Sequence, residues 1–243
     1  MIDWAGKRYW LVGASEGLGA ALAHKMSAAG VHLVLSARSE DKLRDLANEL
    51  PGRADVVTVD VSDAESIKVA AQEVGDIDGV VQIAGVYWPF GAMDWDADQA
   101  VAMADINFTG AMRLMGTVVP KFVERDAGHI VLTGSLSGFR GLPGAAAYTS
   151  SKAGVMTLAE SLYADLHRTN VKVQLINPGF VKTRLTDKND FNMPFIMEPE
   201  DAAREFFEHM NTDAFKRSFP TVFSWVFRGS QFLPDWLYYR LFA

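Results

Sequence analysis

Tyr9-Trp10-Leu11-Val12-Gly13-Ala14-Ser15-Glu16-Gly17-Leu18-Gly19 sets four consecutive apolar residues directly before a loop that holds three glycines. Helical apolar periodicity follows at once, over about Gly17–Ala29. A short run that is apolar at every position is a strand covered on both faces. A glycine loop between such a strand and a helix is a tight turn that needs positive φ. Five more runs of the same kind follow, at His32–Leu35, Val56–Val59, Gly79–Ile83, His129–Leu132 and Lys172–Ile176. Helical patterns separate them at about Asp41–Leu50, Ala64–Val74, Asp98–Glu124 and Ala146–Arg168. This alternation predicts an α/β fold, a doubly wound parallel sheet with helices on both faces.

Composition narrows the chemistry. The 243 residues, 49% hydrophobic and 22% charged, carry no repeat, low-complexity tract or linker, so residues 1–243 are expected to form one Rossmann-like domain. There is no cysteine, which excludes disulfides, thiolate metal sites and cysteine nucleophiles together. The five histidines never fall at metal-ligand spacing, and no metal site is expected. With 23 basic against 30 acidic residues, net −7, and no Lys/Arg block, the chain is not expected to bind nucleic acid. No apolar run is long enough to span a membrane. Asp3 stands where a signal peptide would carry positive charge, so a cytoplasmic protein is expected.

The glycine loop has its own chemistry. A diphosphate can approach backbone N–H groups where no Cβ intervenes, and the following helix N-terminus adds partial positive charge. Gly13, Ser15, Gly17, Leu18 and Gly19 are therefore candidate cofactor contacts, although their spacing is G-x-x-x-G-x-G rather than G-x-G-x-x-G. The second strand runs into Ser36-Ala37-Arg38 without an acidic residue at its end. In dinucleotide folds an acid there favours NAD and an arginine favours NADP, so NADP(H) is expected over NAD(H), unless Arg38 is a plain solvated cation. Asp60-Val61 closes the third strand, where a carboxylate can accept from an adenine amino group or cap the next helix.

Tyr148 and Lys152 stand at i, i+4, on one helix face. An ammonium beside a phenol is expected to lower the tyrosine pKa toward working pH and fit it to move a proton. The plainer alternative is a surface tyrosine packed on a lysine stem. The His129–Leu132 strand delivers Thr133-Gly134-Ser135 at its C-terminal end, where open α/β sheets bind ligands, and the Ser135 hydroxyl can donate to a substrate carbonyl. Asn107 lies inside a long helical pattern that disfavours it, a polar break able to hold a water. Asn177-Pro178-Gly179 follows the last strand and can close over a nicotinamide.

Taken together, these residues resemble the short-chain dehydrogenase/reductase family over nearly the whole chain. The family's T-G-x-x-x-G-x-G is met from Val12 to Gly19, with Val12 in place of threonine. The resemblance implies a catalytic tetrad of Asn107, Ser135, Tyr148 and Lys152. Tyr148 would be the general acid/base, Lys152 would tune it and bond the nicotinamide ribose, Ser135 would polarise the substrate oxygen, and Asn107 would hold a relay water. It further implies cofactor contacts from Ala84, Gly85, Pro178, Gly179 and Thr183, a carbonyl or secondary-alcohol substrate, and a homodimer or homotetramer built on the two long helices. A non-catalytic NADP sensor or interaction module on the same fold is the alternative. The family's Asn-Asn-Ala-Gly is replaced by Gln82-Ile83-Ala84-Gly85, so the hydrogen bonds at the sheet centre are expected to differ.

Two segments fall outside that pattern. The connection from Thr183 to Glu200 has the length of a lid. Its Met193, Phe195, Ile196 and Met197 are expected either to line an apolar pocket with Val86, Tyr87, Trp88 and Phe90, or to pack in core. Residues 218–243 form an aromatic-rich C-terminal extension that holds nine aromatics and only three charges, Arg228, Asp235 and Arg240. It is read as a subunit contact or core cover, a pocket wall, or a membrane-surface element.

Overall fold

The computed structural model describes residues 3–242. Among these residues seven strands form one sheet: β1 (Arg8–Val12), β2 (His32–Ser36), β3 (Ala54–Val56), β4 (Gly79–Gln82), β5 (Gly128–Thr133), β6 (Val171–Pro178) and β7 (Lys216–Phe219). Their order is β3-β2-β1-β4-β5-β6-β7 and every pairing is parallel. The chain leaves β1 in both directions, so the strand order reverses between β1 and β4. The crevice beyond the carboxyl ends of those two strands is where this architecture binds ligands.

Among the described residues nine α-helices connect and follow the strands: α1 (Gly17–Ala28), α2 (Glu40–Glu49), α3 (Ala64–Val74), α4 (Ala97–Ala104), α5 (Gly110–Glu124), α6 (Ala146–Leu166), α7 (Pro199–Met210), α8 (Thr221–Ser230) and α9 (Asp235–Phe242). Alternate residues of a strand point to opposite faces, and the core divides accordingly. Trp10 and Val12 join the apolar cluster under α3, α5 and α6, whereas Tyr9 and Leu11 join the one under α1, α2 and α7. The central strands β1, β2 and β4 are largely apolar because both faces are covered, as the sequence implies. No helix among the described residues is long and apolar enough to cross a membrane.

Four boundaries differ from the sequence expectation. The third strand ends at Val56, yet the Val57 and Val59 N–H groups still bond the Leu35 and Ala37 carbonyls, so pairing outlasts the regular strand. The long helix over 98–124 is interrupted by a π turn, Asp105–Thr109, with Asn107 inside it. Helix α7 was not anticipated, although Pro199 at its start, Glu200 and Asp201 in its first turn and a buried Ala202/Ala203/Phe206/Met210 face are ordinary helix signals. Strand β7 was missed because Lys216-Arg217-Ser218 is a polar edge and does not read as an apolar run. Residues 218–219 thus belong to the sheet, and the helical part of the tail begins at Thr221.

Candidate active site

The glycine loop is shaped by close approach. Gly13 has φ +99°, and a Cβ there would stand 2.4 Å from the Ala84 nitrogen, because β1 and β4 converge at their tips. A Cβ on Gly19 would stand 2.0 Å from the Gly13 carbonyl oxygen, since α1 starts against the loop itself. The replaced Gln82-Ile83-Ala84-Gly85 segment completes this junction. The Ile83 and Ala84 N–H groups both donate to Val12 O at 2.9 Å, Gln82 Nε2 donates to Ala84 O at 2.9 Å, and Ile83 packs into the core. The Gln82 amide thereby holds the turn that follows β4.

A cleft of about 950 Å³ opens over these strand ends. The candidate cofactor residues named from the sequence line it, from Gly13 and Ser15 through Arg38, Asp60, Val61 and Ala84 to Pro178, Gly179 and Thr183, whereas Asn177 does not. Arg38 is exposed at one end and has no carboxylate partner among the described residues. Burial pushes the Asp60 carboxyl up, but the Ser62 hydroxyl and N–H, with the charges of Arg38 and Arg113, outweigh it and hold the group below its ordinary value. Asp60 therefore stays an anion and accepts from Ser62 N and Oγ at 2.9 and 2.6 Å. The cap of α3 is Asp63, which accepts from Glu65 N, so Asp60 is not the helix cap.

At the other end of the cleft stand Ser135, Tyr148 and Lys152. Ser135 starts a 3₁₀ turn over Leu136–Phe139; its Oγ accepts from the Ser137 N–H at 3.2 Å and from the Ser137 hydroxyl at 2.9 Å. Helix α6 carries Tyr148 and Lys152 one turn apart. Their electrostatics depart from the sequence expectation. Burial pushes the Tyr148 hydroxyl up to about 12, the Ser135 hydroxyl pulls it down, and Tyr87 adds to the rise. Burial alone lowers Lys152 to about 8. The Lys152 ammonium lies 6.0 Å from the Tyr148 ring centroid and donates to Thr133 O at 3.0 Å. Desolvation is thus the largest influence on both groups.

Asn107 lies behind the cleft, fully buried, and does not line it. Its Oδ1 accepts from the Val86 N–H at 2.7 Å, and its Nδ2 donates to Val86 O and Ser151 Oγ, both at 3.0 Å. Both amide donors are therefore used, one to pin the Val86 loop to the π turn and the other to tie that turn to α6. A π turn at such a place is a recurrent mark of functional sites.

Several contributors escaped the sequence. Glu16 pairs with Arg184 at 2.6 Å and with Lys42, tying the connection after β6 and helix α2 to the glycine loop. Lys188 donates to Tyr87 O at 2.7 Å and sits over the Trp88 ring. The connection is a loop closed at its stem, where Lys182 N donates to Met197 O and Met197 N to Phe180 O. Of the two expectations for its apolar residues, none of Met193, Phe195, Ile196 and Met197 lines the cleft, and Met197 meets the core alternative. Val86, Tyr87 and Trp88 face the cleft, but Phe195 and Ile196 are exposed, Met197 packs against core and Met193 takes a contact from Asn189. Phe90 packs edge-on against Trp95, outside the cleft. No tail residue among the described residues lines the cleft, so those residues are not a wall of it.

Comparison with known proteins agrees with this architecture. The model of the short chain dehydrogenase family matches residues 7–193. An uncharacterized oxidoreductase of Myxococcus xanthus is 38% identical over 236 residues, which covers 94% of this chain and 93% of that protein. A short chain dehydrogenase/reductase from Burkholderia phymatum, solved in complex with NAD, superposes with a TM-score of 0.86 at 24% identity, covering 94% of each chain. A short-chain dehydrogenase from Sphingobium yanoikuyae in complex with NADPH gives 0.81 at 24% identity, covering 88% of each. At that identity the likeness is one of fold. With the family model matched over most of its length, the chain belongs to the short-chain dehydrogenase family of nicotinamide-dependent oxidoreductases.

Proposed function

We propose that this protein is an NADPH-preferring carbonyl reductase that acts on an apolar ketone or aldehyde and uses Tyr148 as its proton donor. The observation that carries the proposal is the convergence of Ser135, Tyr148 and Lys152 at one end of a cleft whose other end holds the unpaired Arg38. The cleft suits a dinucleotide: a Cβ at Gly13 or Gly19 would fill the cradle, and the Thr133 hydroxyl beside it is buried without a partner among the described residues. The glycine loop and the start of α1 would hold the diphosphate, Arg38 an adenosine phosphate, Asp60 and Val61 the adenine, and Lys152 the nicotinamide ribose. When bound, the nicotinamide supplies the hydride.

The remaining chemistry falls to the chain. A tyrosine held near 12 is protonated at neutral pH, so Tyr148 is a donor in its resting form and gives its proton to the substrate oxygen as that oxygen becomes an alkoxide. Ser135 donates a second hydrogen bond to the same oxygen and polarises the carbonyl. Lys152, near 8, is mostly charged at pH 7 and lies close enough to favour the phenolate that remains. Tyr87, edge-on to Tyr148 at 4.9 Å, and Trp88 offer ring surfaces, which favours an apolar substrate. The test is NADPH and NADH oxidation against ketones and aldehydes of graded size. Turnover with bulky apolar carbonyls and NADPH supports the proposal; tight NADPH binding with no turnover on any member refutes it.

A further inference from the structure

Ser135 and Arg140 are the two ends of one four-residue turn. Ser135 starts the 3₁₀ turn Leu136–Phe139 and Arg140 ends it in extended backbone. From that end the mostly buried Arg140 guanidinium reaches the C-terminal helices. Its Nη1 donates to Ser230 O at 2.6 Å and Leu233 O at 2.8 Å, its Nη2 donates to the Asp235 carboxylate at 2.5 Å, and its plane lies 3.9 Å above the Tyr238 ring. Two bonds return from the tail. The buried Tyr238 hydroxyl donates to Gly141 O at 2.6 Å, and Gln231 Nε2 donates to Phe139 O at 3.0 Å.

We propose that Arg140 is the positioning residue for Ser135, and that α8 and α9 serve as the anchor against which it holds the substrate-polarising turn. The inference rests on the reading of Ser135 as the group that polarises the substrate oxygen. A single 3₁₀ turn has poor hydrogen-bond geometry and little stability of its own. The segment beyond it, with Gly141, Pro143 and Gly144, is largely exposed, so it contributes few contacts to hold the turn. The rigid guanidinium fork serves two carbonyls and a carboxylate at once, which a lysine ammonium on a flexible stem cannot match. No described residue of the tail lines the cleft, and the bonds above make this turn its route to Ser135.

The test uses the full-length chain with Arg140→Ala, Arg140→Lys, Tyr238→Phe, Ser135→Ala and the Arg140→Ala/Ser135→Ala double variant. Arg140→Ala is expected to lower kcat on the order of 10- to 100-fold, as a small misplacement of a reacting group does, while the NADPH Kd stays within about twofold. Arg140→Lys recovers only part of the loss. The double variant is no slower than Ser135→Ala alone, because both changes remove the same interaction; a merely structural defect would add to it. Amide exchange rises over residues 136–145 and stays unchanged over 13–19. Should Arg140→Ala not fold, Tyr238→Phe, which removes one oxygen, must show the same exchange pattern and a smaller loss of kcat. Wild-type kcat in Arg140→Ala, additive losses in the double variant, or unchanged exchange over 136–145 would overturn the proposal. If the unaltered protein reduces no carbonyl compound, the functional reading fails by itself, and the exchange result still decides whether Arg140 and Tyr238 hold the turn.

Discussion

Asn107 and Val86 exchange two hydrogen bonds, Val86 N–H to Asn107 Oδ1 at 2.7 Å and Asn107 Nδ2 to Val86 O at 3.0 Å. The pair fastens the loop that carries Tyr87 and Trp88 to the π turn. Replacing Asn107 with Ala strands the Val86 N–H and carbonyl, while Ser151 keeps its bond to Tyr148 O. Each buried group left unpaired costs about 1–3 kcal/mol, so urea unfolding is expected to show a loss of at least about 2 kcal/mol. A loss below 0.5 kcal/mol, on the order of a neutral surface change, would mean that the pair is not holding the loop.

Arg38 stands alone at the adenosine end of the cleft. Arg38→Ala is expected to raise the KM for NADPH about tenfold or more, the equivalent of one charge-assisted hydrogen bond, and to leave the KM for NADH nearly unchanged. Steady-state kinetics with both cofactors decides this, and equal effects on the two would remove Arg38 from phosphate recognition.

Gly19 presses on the Gly13 carbonyl, where a Cβ would come within 2.0 Å. Gly19→Ala must displace the loop from α1, at a cost of about 1–3 kcal/mol for overpacking, and NADPH binding measured by fluorescence should weaken sharply. Unchanged binding would mean that the loop's shape is not what holds the cofactor.

His129 bears on pH dependence. Gln174 Nε2 faces the carbonyls of His209, Thr212 and Ala214, so its Oε1 faces His129 Nε2, and the Tyr9 hydroxyl donates to His129 Nδ1 at 2.9 Å. Burial first, then the charge of Lys172, hold His129 down near 3 against the Gln174 bond, which pulls upward. The folded pKa lies below the ordinary 6.5. The unfolded chain therefore takes up the proton first, and stability is complete above 6.5 and lost as pH falls toward 3. One proton changes stability by at most about 1.4 kcal/mol per pH unit. Unfolding free energies at pH 7.5 and pH 5 should show this slope, shared with the buried His209, and His129→Gln should reduce it; an unchanged slope in the variant would assign it to other groups.

The sequence discloses what local chemistry encodes and little of what distant packing decides. Apolar strands, the glycine loop and Tyr148 with Lys152 are local patterns, and the sheet and the lining of the cleft were legible from them. Strand β7 was not, because Lys216 and Arg217 pair outward with Glu160 and Glu205 and leave no apolar signature. Arg140 was not, because its partners lie 90 to 95 residues away. The tyrosine's proton affinity was misread for a related reason. Spacing shows that a lysine is near, while the burial that outweighs it is set by the whole fold.

The most direct test of the central claim replaces Tyr148 with Phe and measures, in one preparation, NADPH affinity and NADPH oxidation with an apolar ketone that the unaltered protein reduces. Loss of the hydroxyl should leave the NADPH Kd within about twofold and remove turnover by a factor of 100 or more, the contribution of a positioned proton donor. Turnover within tenfold of the unaltered protein would contradict the assignment of Tyr148 as the group that protonates the substrate oxygen.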